Sequence, residues 1–181
     1  PPLYGEGYEA IHYILNDEPQ NLTDGSLFYF ARDNFWVLAL FLALIILLKA
    51  FATASTNGGG GVGGTFAPSL YLGCMSGFLF AFLLNHFDVP IHLSPKNFAL
   101  MGMAGVMSGV MHAPLMGIFL TAELTGGFDL FLPLMIVSTV SFVTIKIFEP
   151  YTIYAFRLAR RANLIPHPNN KPVLTRRQMT R

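Results

Sequence analysis

A run of glycines leads directly into an apolar segment at residues 58–70, which read GGGGVGGTFAPSL. Nearly membrane-length apolar stretches lie on both sides of this run. Glycine-rich backbone is unfavourable inside a bilayer because lipid offers no partners to its N–H and C=O groups, so it is expected only beside a cavity or against protein. A helix that starts there points its unpaired N–H groups and the positive end of its dipole into that cavity. The pattern therefore predicts a membrane protein with an anion site at membrane depth.

The composition agrees with a membrane protein. Of the 181 residues, 53% are hydrophobic and 12% charged, whereas about 25% are charged in an average soluble domain. All ten acidic residues lie within positions 1–149, and positions 150–181 carry seven basic residues. By the positive-inside rule, this basic tail is predicted to be cytoplasmic. The tail has no interleaved aromatics or nucleic-acid-reader motif, so no nucleic-acid partner is expected.

Four long apolar segments predict transmembrane helices and an all-α fold. They are Phe35–Ala54, Phe66–Phe87, Phe98–Leu124 and Phe128–Phe148. Pro114 is expected to break the third segment, because proline removes a helix hydrogen bond and clashes with the preceding turn. A polar turn is predicted at Asp88–Lys96, and shorter helices at Tyr8–Leu15 and Tyr151–Ala162. Long segments that open or break at glycine or proline are typical of transporters.

The glycine run has two other interpretations. Gly59-x-Gly61-x-x-Gly64 matches a dinucleotide-binding pattern, but that motif needs a preceding strand and an acidic residue about 20 positions later. A predicted transmembrane helix precedes it instead, so this interpretation is rejected. A flexible linker between two helices stays open as an alternative, although the residues that follow, Thr65-Phe66-Ala67-Pro68, indicate a defined helix start.

Ionisable side chains within the apolar segments are predicted to be structural. The ionisable ones are Lys49, His112, Glu123 and Lys146. Both lysines lie near the ends of predicted helices, where their long side chains can reach the interface. The proline break leaves free carbonyls that the ring of His112 can bond. No metal-ligand spacing is present, but Ser108 lies four residues before His112 and could meet it on one helix, so an intramembrane protease remains an alternative.

Two tyrosines, Tyr151 and Tyr154, lie between the last predicted span and the basic tail. Aromatic residues at such positions usually belong to the interfacial belt of a membrane protein. From the residues alone, that is the favoured interpretation of both side chains.

Several motifs in one order resemble the CLC chloride channel and transporter family. Gly64-Thr65-Phe66-Ala67-Pro68-Ser69-Leu70 resembles that family's GxFxPxL signature. Met101–Asp129 is similar to its later glycine-rich segment, with an alanine-proline break and a downstream glutamate. Residues 131–135, FLPLM, and the Ile153-Tyr154 step before a basic helix follow in family order.

The resemblance implies a chloride site and assigns its residues. The backbone N–H groups of Thr65 and Phe66 and the hydroxyl of Tyr154 would bind the ion. The residues that shape the site would be Gly63, Gly64, Ala67, Pro68 and Leu70. Partial dipolar charges attract a small anion without trapping it, and conduction needs release as well as binding. The implied function is chloride transport as a channel or an H⁺/Cl⁻ antiporter. No catalytic residue, metal or other cofactor is expected, and a non-transporting membrane scaffold is a further alternative.

The resemblance also implies the place of this chain in a larger protein. Residues 1–162 are similar to the C-terminal half of the CLC membrane domain, which is the second of two inverted repeats. Residues 163–181 resemble the basic cytoplasmic linker that leads to CBS domains in many members. The expected partners are chloride, membrane lipid, the N-terminal half of the same protein, and a second copy bound through residues 128–148. The expected location is the cell inner or plasma membrane.

Overall fold

A computed structural model of the protein describes residues 7–16, 34–61, 63–87, 93–125, 129–149 and 151–152. Within these ranges every regular element is an α-helix, which confirms the all-α prediction. The helices are α1 (Tyr8–Leu15), α2 (Phe35–Gly58), α3 (Phe66–His86), α4 (Pro95–Met111), α5 (Pro114–Thr125) and α6 (Phe131–Phe148).

Three of the described helices, α2, α3 and α6, are long and apolar enough to cross a membrane. The remaining predicted span, Phe98–Leu124, is divided into α4 and α5 at the residues before Pro114. With 12 residues, α5 extends about 18 Å, which is less than the roughly 30 Å of a bilayer core. The predicted proline break is therefore confirmed, and three of the four long apolar segments form single helices of spanning length among the described residues.

Helix boundaries differ from the predicted ones by more than one residue at three places. α2 continues four residues past Ala54 to Gly58, and α6 begins at Phe131 instead of residue 128. α4 begins at Pro95, so Pro95 and Lys96 belong to a helix and not to the predicted polar turn. Proline fits the first helical position because its fixed φ angle suits the helix and its missing N–H would have no partner there.

Helices α2 and α3 run antiparallel. At one end, Phe35 stacks on His86 with ring centroids 3.6 Å apart, and on Phe82 at 4.7 Å. Further along α2, the Lys49 ammonium lies 5.2 Å from the centre of the Tyr71 ring. The N-terminal end of α3 therefore lies beside the C-terminal end of α2.

Helices α3 and α4 pack backbone to backbone at three glycines. A Cβ atom added to Gly73 would meet the Gly102 carbonyl, and one added to Gly102 would meet the Gly73 carbonyl. One added to Gly77 would meet the carbonyl of Phe98. Small residues of this kind allow membrane helices to approach closely. The pairing of residue 73 with 102 and of 77 with 98 makes the two helices antiparallel.

Helices α5 and α6 both pack against α4. α5 folds back along α4, so that a Cβ atom on Gly117 would meet the Ser108 hydroxyl and the Ala104 carbonyl. α6 runs parallel to α4, since Ser138 donates to the Ala104 carbonyl at 3.5 Å and Ser141 to the Gly105 carbonyl at 2.7 Å. This arrangement leaves most of α6 exposed, and its buried residues are Leu134 and Ser138.

Two predicted C-terminal features are described only in part or not at all. Tyr151 and Thr152 are not helical, so the predicted final helix does not start at Tyr151. Its remaining residues, Tyr154 among them, and the predicted linker at residues 163–181 lie outside the described residues.

Candidate functional site

The first part of the glycine run ends α2. Gly60 has a left-handed backbone (φ +87°), and the N–H of Gly61 donates to the carbonyl of Thr56 at 3.0 Å. A left-handed glycine followed by this backward hydrogen bond is the Schellman ending of a helix. The Gly59 N–H donates to the Ser55 carbonyl at 2.8 Å and closes the last regular turn. These residues therefore have the defined geometry of a helix terminus, which the flexible-linker alternative does not account for.

Glycine is also needed where the chain passes close to the end of α2. A Cβ atom on Gly61 would lie 2.9 Å from the Thr56 carbonyl oxygen, and one on Gly63 would lie 2.9 Å from the Asn57 Oδ1 atom. Around a Cβ atom on Gly64, in contrast, there is nothing within 4 Å. The chain therefore passes closely over the end of α2 and reaches open space one residue before Thr65.

Helix α3 begins where the sequence predicts. Thr65 is the N-cap residue, and its carbonyl accepts the N–H of Ser69 at 3.1 Å. Phe66 is the first helical residue. The first N–H groups of an α-helix have no acceptor within the helix. The residues of the helix itself that carry such groups are Phe66 and Ala67, since Pro68 has no N–H.

The first turn of α3 is electrostatically suited to an anion. It contains no acidic residue, so no carboxylate of its own competes for the positive end of the helix dipole. The Ser69 hydroxyl donates to the Phe66 carbonyl at 2.7 Å and is not aimed outward. Ser69 and Leu70 are buried, whereas Thr65, Phe66, Ala67 and Pro68 are half-buried. The turn is therefore anchored from within, while its first four residues keep part of their surface exposed.

Of the predicted chloride ligands, the structure describes Thr65 and Phe66, which are adjacent at the start of α3. The third, Tyr154, lies outside the described residues. Tyr151 is described, and it lines a cavity between α4 and α6. The fold therefore places two of the predicted ligands at the start of one helix, and the chloride site itself stays a prediction.

Lys49 does not lie near the end of its helix as predicted, and its side chain is buried. Because α2 extends to Gly58, the residue is nine positions from the helix end, and only 5% of its surface is exposed. Its ammonium group faces the Tyr71 ring of α3. A cation over an aromatic face is stabilised by the ring quadrupole, which accounts for a lysine at this depth. The sequence shows that Lys49 lies in an apolar segment, but it does not predict the Tyr71 ring that contacts its ammonium group.

The other ionisable residues lie near helix ends. Lys146 is exposed, two residues before the end of α6, with its ammonium group 5.3 Å from the centre of the Phe142 ring. Glu123 is exposed, two residues before the end of α5. No group of three or more potential metal ligands occurs among the described residues.

Ser108 and His112 do not form a nucleophile–base pair in the described structure. Ser108 is fully buried, and its hydroxyl donates to the Ala104 carbonyl at 2.6 Å. The Nε2 atom of His112 lies 3.0 Å from the Glu149 carbonyl oxygen at the end of α6. The prediction that His112 bonds a carbonyl freed by the proline break was thus wrong, because the acceptor comes from 37 residues further along the chain. Sequence reasoning missed this contact since no local signal links the two residues.

Comparison with known proteins identifies the family. The profile of the voltage gated chloride channel family matches residues 1–146. A ClcB-like chloride channel protein of Ralstonia nicotianae is 34% identical over 160 residues, which are 88% of this chain and 33% of the relative. The H⁺/Cl⁻ exchange transporter ClcA of Vibrio cholerae is 32% identical over 119 residues, which are 66% of this chain and 25% of the relative.

A third relative also matches most of the chain. The voltage-gated ClC-type chloride channel ClcB of Escherichia coli is 26% identical over 162 residues, which are 90% of this chain and 34% of the relative. The chain therefore spans about a third or less of the length of these relatives. The helical architecture, with three helices long enough to cross a membrane, is consistent with a fragment of a CLC membrane domain. The family profile covers four-fifths of its residues, and the chain belongs to the voltage-gated chloride channel (CLC) family.

Proposed function

We propose that this chain supplies part of a transmembrane chloride pathway, in which the ion is held by the backbone N–H groups of Thr65 and Phe66 and by the hydroxyl of Tyr154. The observation that carries the proposal is the start of α3. It follows a closely packed glycine passage, has half-buried residues at its beginning, and contains no acidic residue in its first turn. Such a helix start offers partial positive charge and N–H donors to an anion.

The residues of the segment 63–70, which reads GGTFAPSL, have different roles at the proposed site. Gly63 allows the chain to pass the Asn57 side chain, and Gly64 leaves the space in front of the helix open. Ala67 and Pro68 continue the first turn without adding a charge, and Leu70 anchors it in the core, where it is 3% exposed. The ion would thus be bound by dipoles and not by a full counter-charge, which favours its release.

The chain is proposed to be the second inverted-repeat half of the membrane domain, with its C-terminal tail on the cytoplasmic side. The long span of the relatives not matched by this chain would supply the first half and complete the pathway.

The exposed face of α6 supports contact with lipid and with a second copy through residues 128–148. Its large apolar side chains are Leu132, Ile136, Val140, Val143 and Ile147. Cross-linking in native membranes between cysteines placed on this face tests the homodimer, and only monomeric product would contradict it.

Chloride efflux from liposomes, recorded together with external pH, tests the proposed function on the full-length protein. Proton counter-movement at a fixed ratio to chloride would identify an exchanger, and chloride flux without it a channel. Absence of any anion flux from folded protein would contradict chloride transport and favour a non-transporting scaffold.

Replacement of Tyr154 by phenylalanine removes only the hydroxyl donor. We expect chloride affinity to fall by about tenfold, because hydrogen bonds to charged groups contribute roughly 1.5–3 kcal/mol. Isothermal titration with chloride measures this change. Tyr151→Phe is the matched control and should retain the original affinity. Unchanged affinity in Tyr154→Phe would exclude Tyr154 as a ligand.

A further inference from the structure

One residue of α3 bonds to both residues whose N–H groups are the proposed chloride donors. The Ser69 N–H donates to the carbonyl of Thr65 at 3.1 Å, and the Ser69 hydroxyl donates to the carbonyl of Phe66 at 2.7 Å. The first is the regular bond of an α-helical turn. The second is an additional bond from a side chain to the backbone three residues earlier. Ser69 therefore holds the start of α3 through its main chain and its side chain together.

Ser69 lies where the half-buried start of α3 enters the core. Only 4% of its surface is exposed, whereas Phe66, Ala67 and Pro68 are half-buried. The Sδ atom of Met107, a fully buried residue of α4, lies 3.6 Å from the Ser69 hydroxyl oxygen. A hydroxyl has one hydrogen to donate, and a carbonyl oxygen is a stronger acceptor than a thioether sulfur. The hydrogen bond to Phe66 is therefore retained, and α4 packs directly against it.

The first turn of a helix has few internal bonds that hold it in place, and helix ends fray for this reason. At α3, the N-cap residue Thr65 does not cap the helix through its side chain, and Pro68 has no N–H to donate. A ligand binds more weakly to a turn that must first become ordered, because the ordering opposes binding. The bonds from Ser69 order this turn without using any of its N–H groups.

We propose that Ser69 is a positioning residue for the chloride site: by donating to the carbonyls of Thr65 and Phe66, it holds these two residues in helical geometry before the ion binds. This inference rests on the proposed function, in which the N–H groups of Thr65 and Phe66 bind chloride. Ser69 does not itself touch the ion, since its hydroxyl is directed at the Phe66 carbonyl and at Met107.

Three substitutions separate this role from a general effect on stability. Ser69→Ala removes the hydroxyl and keeps the N–H. Ser69→Thr keeps the hydroxyl but adds a methyl group at a buried position, where extra volume is unfavourable. Ser76→Ala is the matched control, because the Ser76 hydroxyl donates to the Gly73 carbonyl at 3.0 Å with the same three-residue spacing in the same helix. It lies seven residues beyond Ser69 and away from the proposed donors.

The experiment uses the full-length protein in detergent, with chloride affinity from isothermal titration and stability from the thermal unfolding midpoint. We expect Ser69→Ala to bind chloride roughly fivefold more weakly, as the loss of one ordinary hydrogen bond implies. Its unfolding midpoint should stay near the original one, because the higher helix propensity of alanine offsets part of that loss. Ser69→Thr is expected to unfold at a lower temperature and to keep the original affinity. Ser76→Ala should also keep it.

A merely structural role would make the affinities of the three variants follow their unfolding midpoints, and that result would overturn the proposal. Original affinity in Ser69→Ala would overturn it as well, as would an equal loss of affinity in Ser76→Ala. Replacement of the Phe66 amide by an ester separates this proposal from the proposed function. If the ester leaves affinity unchanged, the assignment of the Phe66 N–H fails and the positioning role fails with it. If the ester weakens binding and Ser69→Ala does not, the positioning role alone fails.

Discussion

Backbone N–H groups are unusual ion ligands in that their position is set by the helix and not by a rotatable side chain. At the start of α3, this position depends on glycines that precede the helix: Gly60 with its left-handed backbone, and Gly63 against the Asn57 side chain. A Cβ atom at either glycine would be strained or would displace a neighbour. The donor at Phe66 is therefore fixed by residues that would not themselves touch the ion.

An amide-to-ester replacement at Phe66 tests this donor without altering the side chain. The ester removes one N–H, and we expect chloride affinity to fall by about tenfold or more, because a hydrogen bond to a charged group contributes roughly 1.5–3 kcal/mol. The same replacement at Lys96 is the matched control, since it also removes a first-turn N–H, at the start of α4. Equal chloride affinities in the two ester proteins, measured by titration calorimetry, would exclude the Phe66 amide as a ligand.

Local signals predicted some of these residues and not others. The start of α3 at Phe66 and the break before Pro114 were predicted correctly because proline and glycine act on their immediate neighbours. The sequence analysis did not predict the burial of Lys49 or the hydrogen bond from His112 to Glu149, because both depend on contacts between distant parts of the chain. The chloride ligands were assigned from resemblance to the CLC family, and they stay predictions.

At the scale of the helices, hydroxyl groups and glycines organise the packing around α4. α3 contacts one side of α4 through Gly73, Gly77 and Gly102, and α6 contacts another through Ser138 and Ser141. The all-α fold and most helix bounds could be predicted from hydropathy and from glycine and proline positions. The order of neighbours around α4 could not, since small residues show that a helix packs closely but not against which partner.

Substitution of Gly102 by alanine should separate α3 from α4. The added methyl group would meet the Gly73 carbonyl, and rigid backbone cannot rearrange as a side chain can. We expect a loss of about 1–3 kcal/mol in unfolding free energy, or failure to fold. Thermal unfolding in detergent measures the change. Gly58→Ala is the control, because a Cβ atom there meets nothing within 4 Å, and an equal loss in both variants would contradict the packing argument.

At the scale of the whole molecule, the described helices enclose one principal core that includes the centre of α3. Cys74, the single cysteine of the chain, lies there and is fully buried. Its thiol can meet a reagent in water only after the helices separate. The reactivity of the Cys74 thiol therefore shows whether the helices stay packed, and it can be measured without any ion-binding experiment.

We expect Cys74 to react with a maleimide at least about a hundredfold more slowly in folded protein than in denatured protein, because exposure requires opening that costs several kcal/mol. Peptide mapping by mass spectrometry measures the modified fraction over time. Ser55→Cys, at an exposed position of α2, is the control and should react rapidly. Rapid modification of Cys74 in folded protein would show that the core opens readily.

The glycine contact between α3 and α4 has a consequence for movement. Two helices usually slide or rotate against each other when the side chains between them change rotamer, but at Gly73, Gly77 and Gly102 carbonyl groups lie directly against the facing helix. We therefore expect α3 and α4 to move as one rigid body during transport. The amide end of α3 would then keep a constant position relative to α4 when other elements move. Distances between spin labels on the two helices should stay constant with and without chloride, and a shift between them would contradict this expectation.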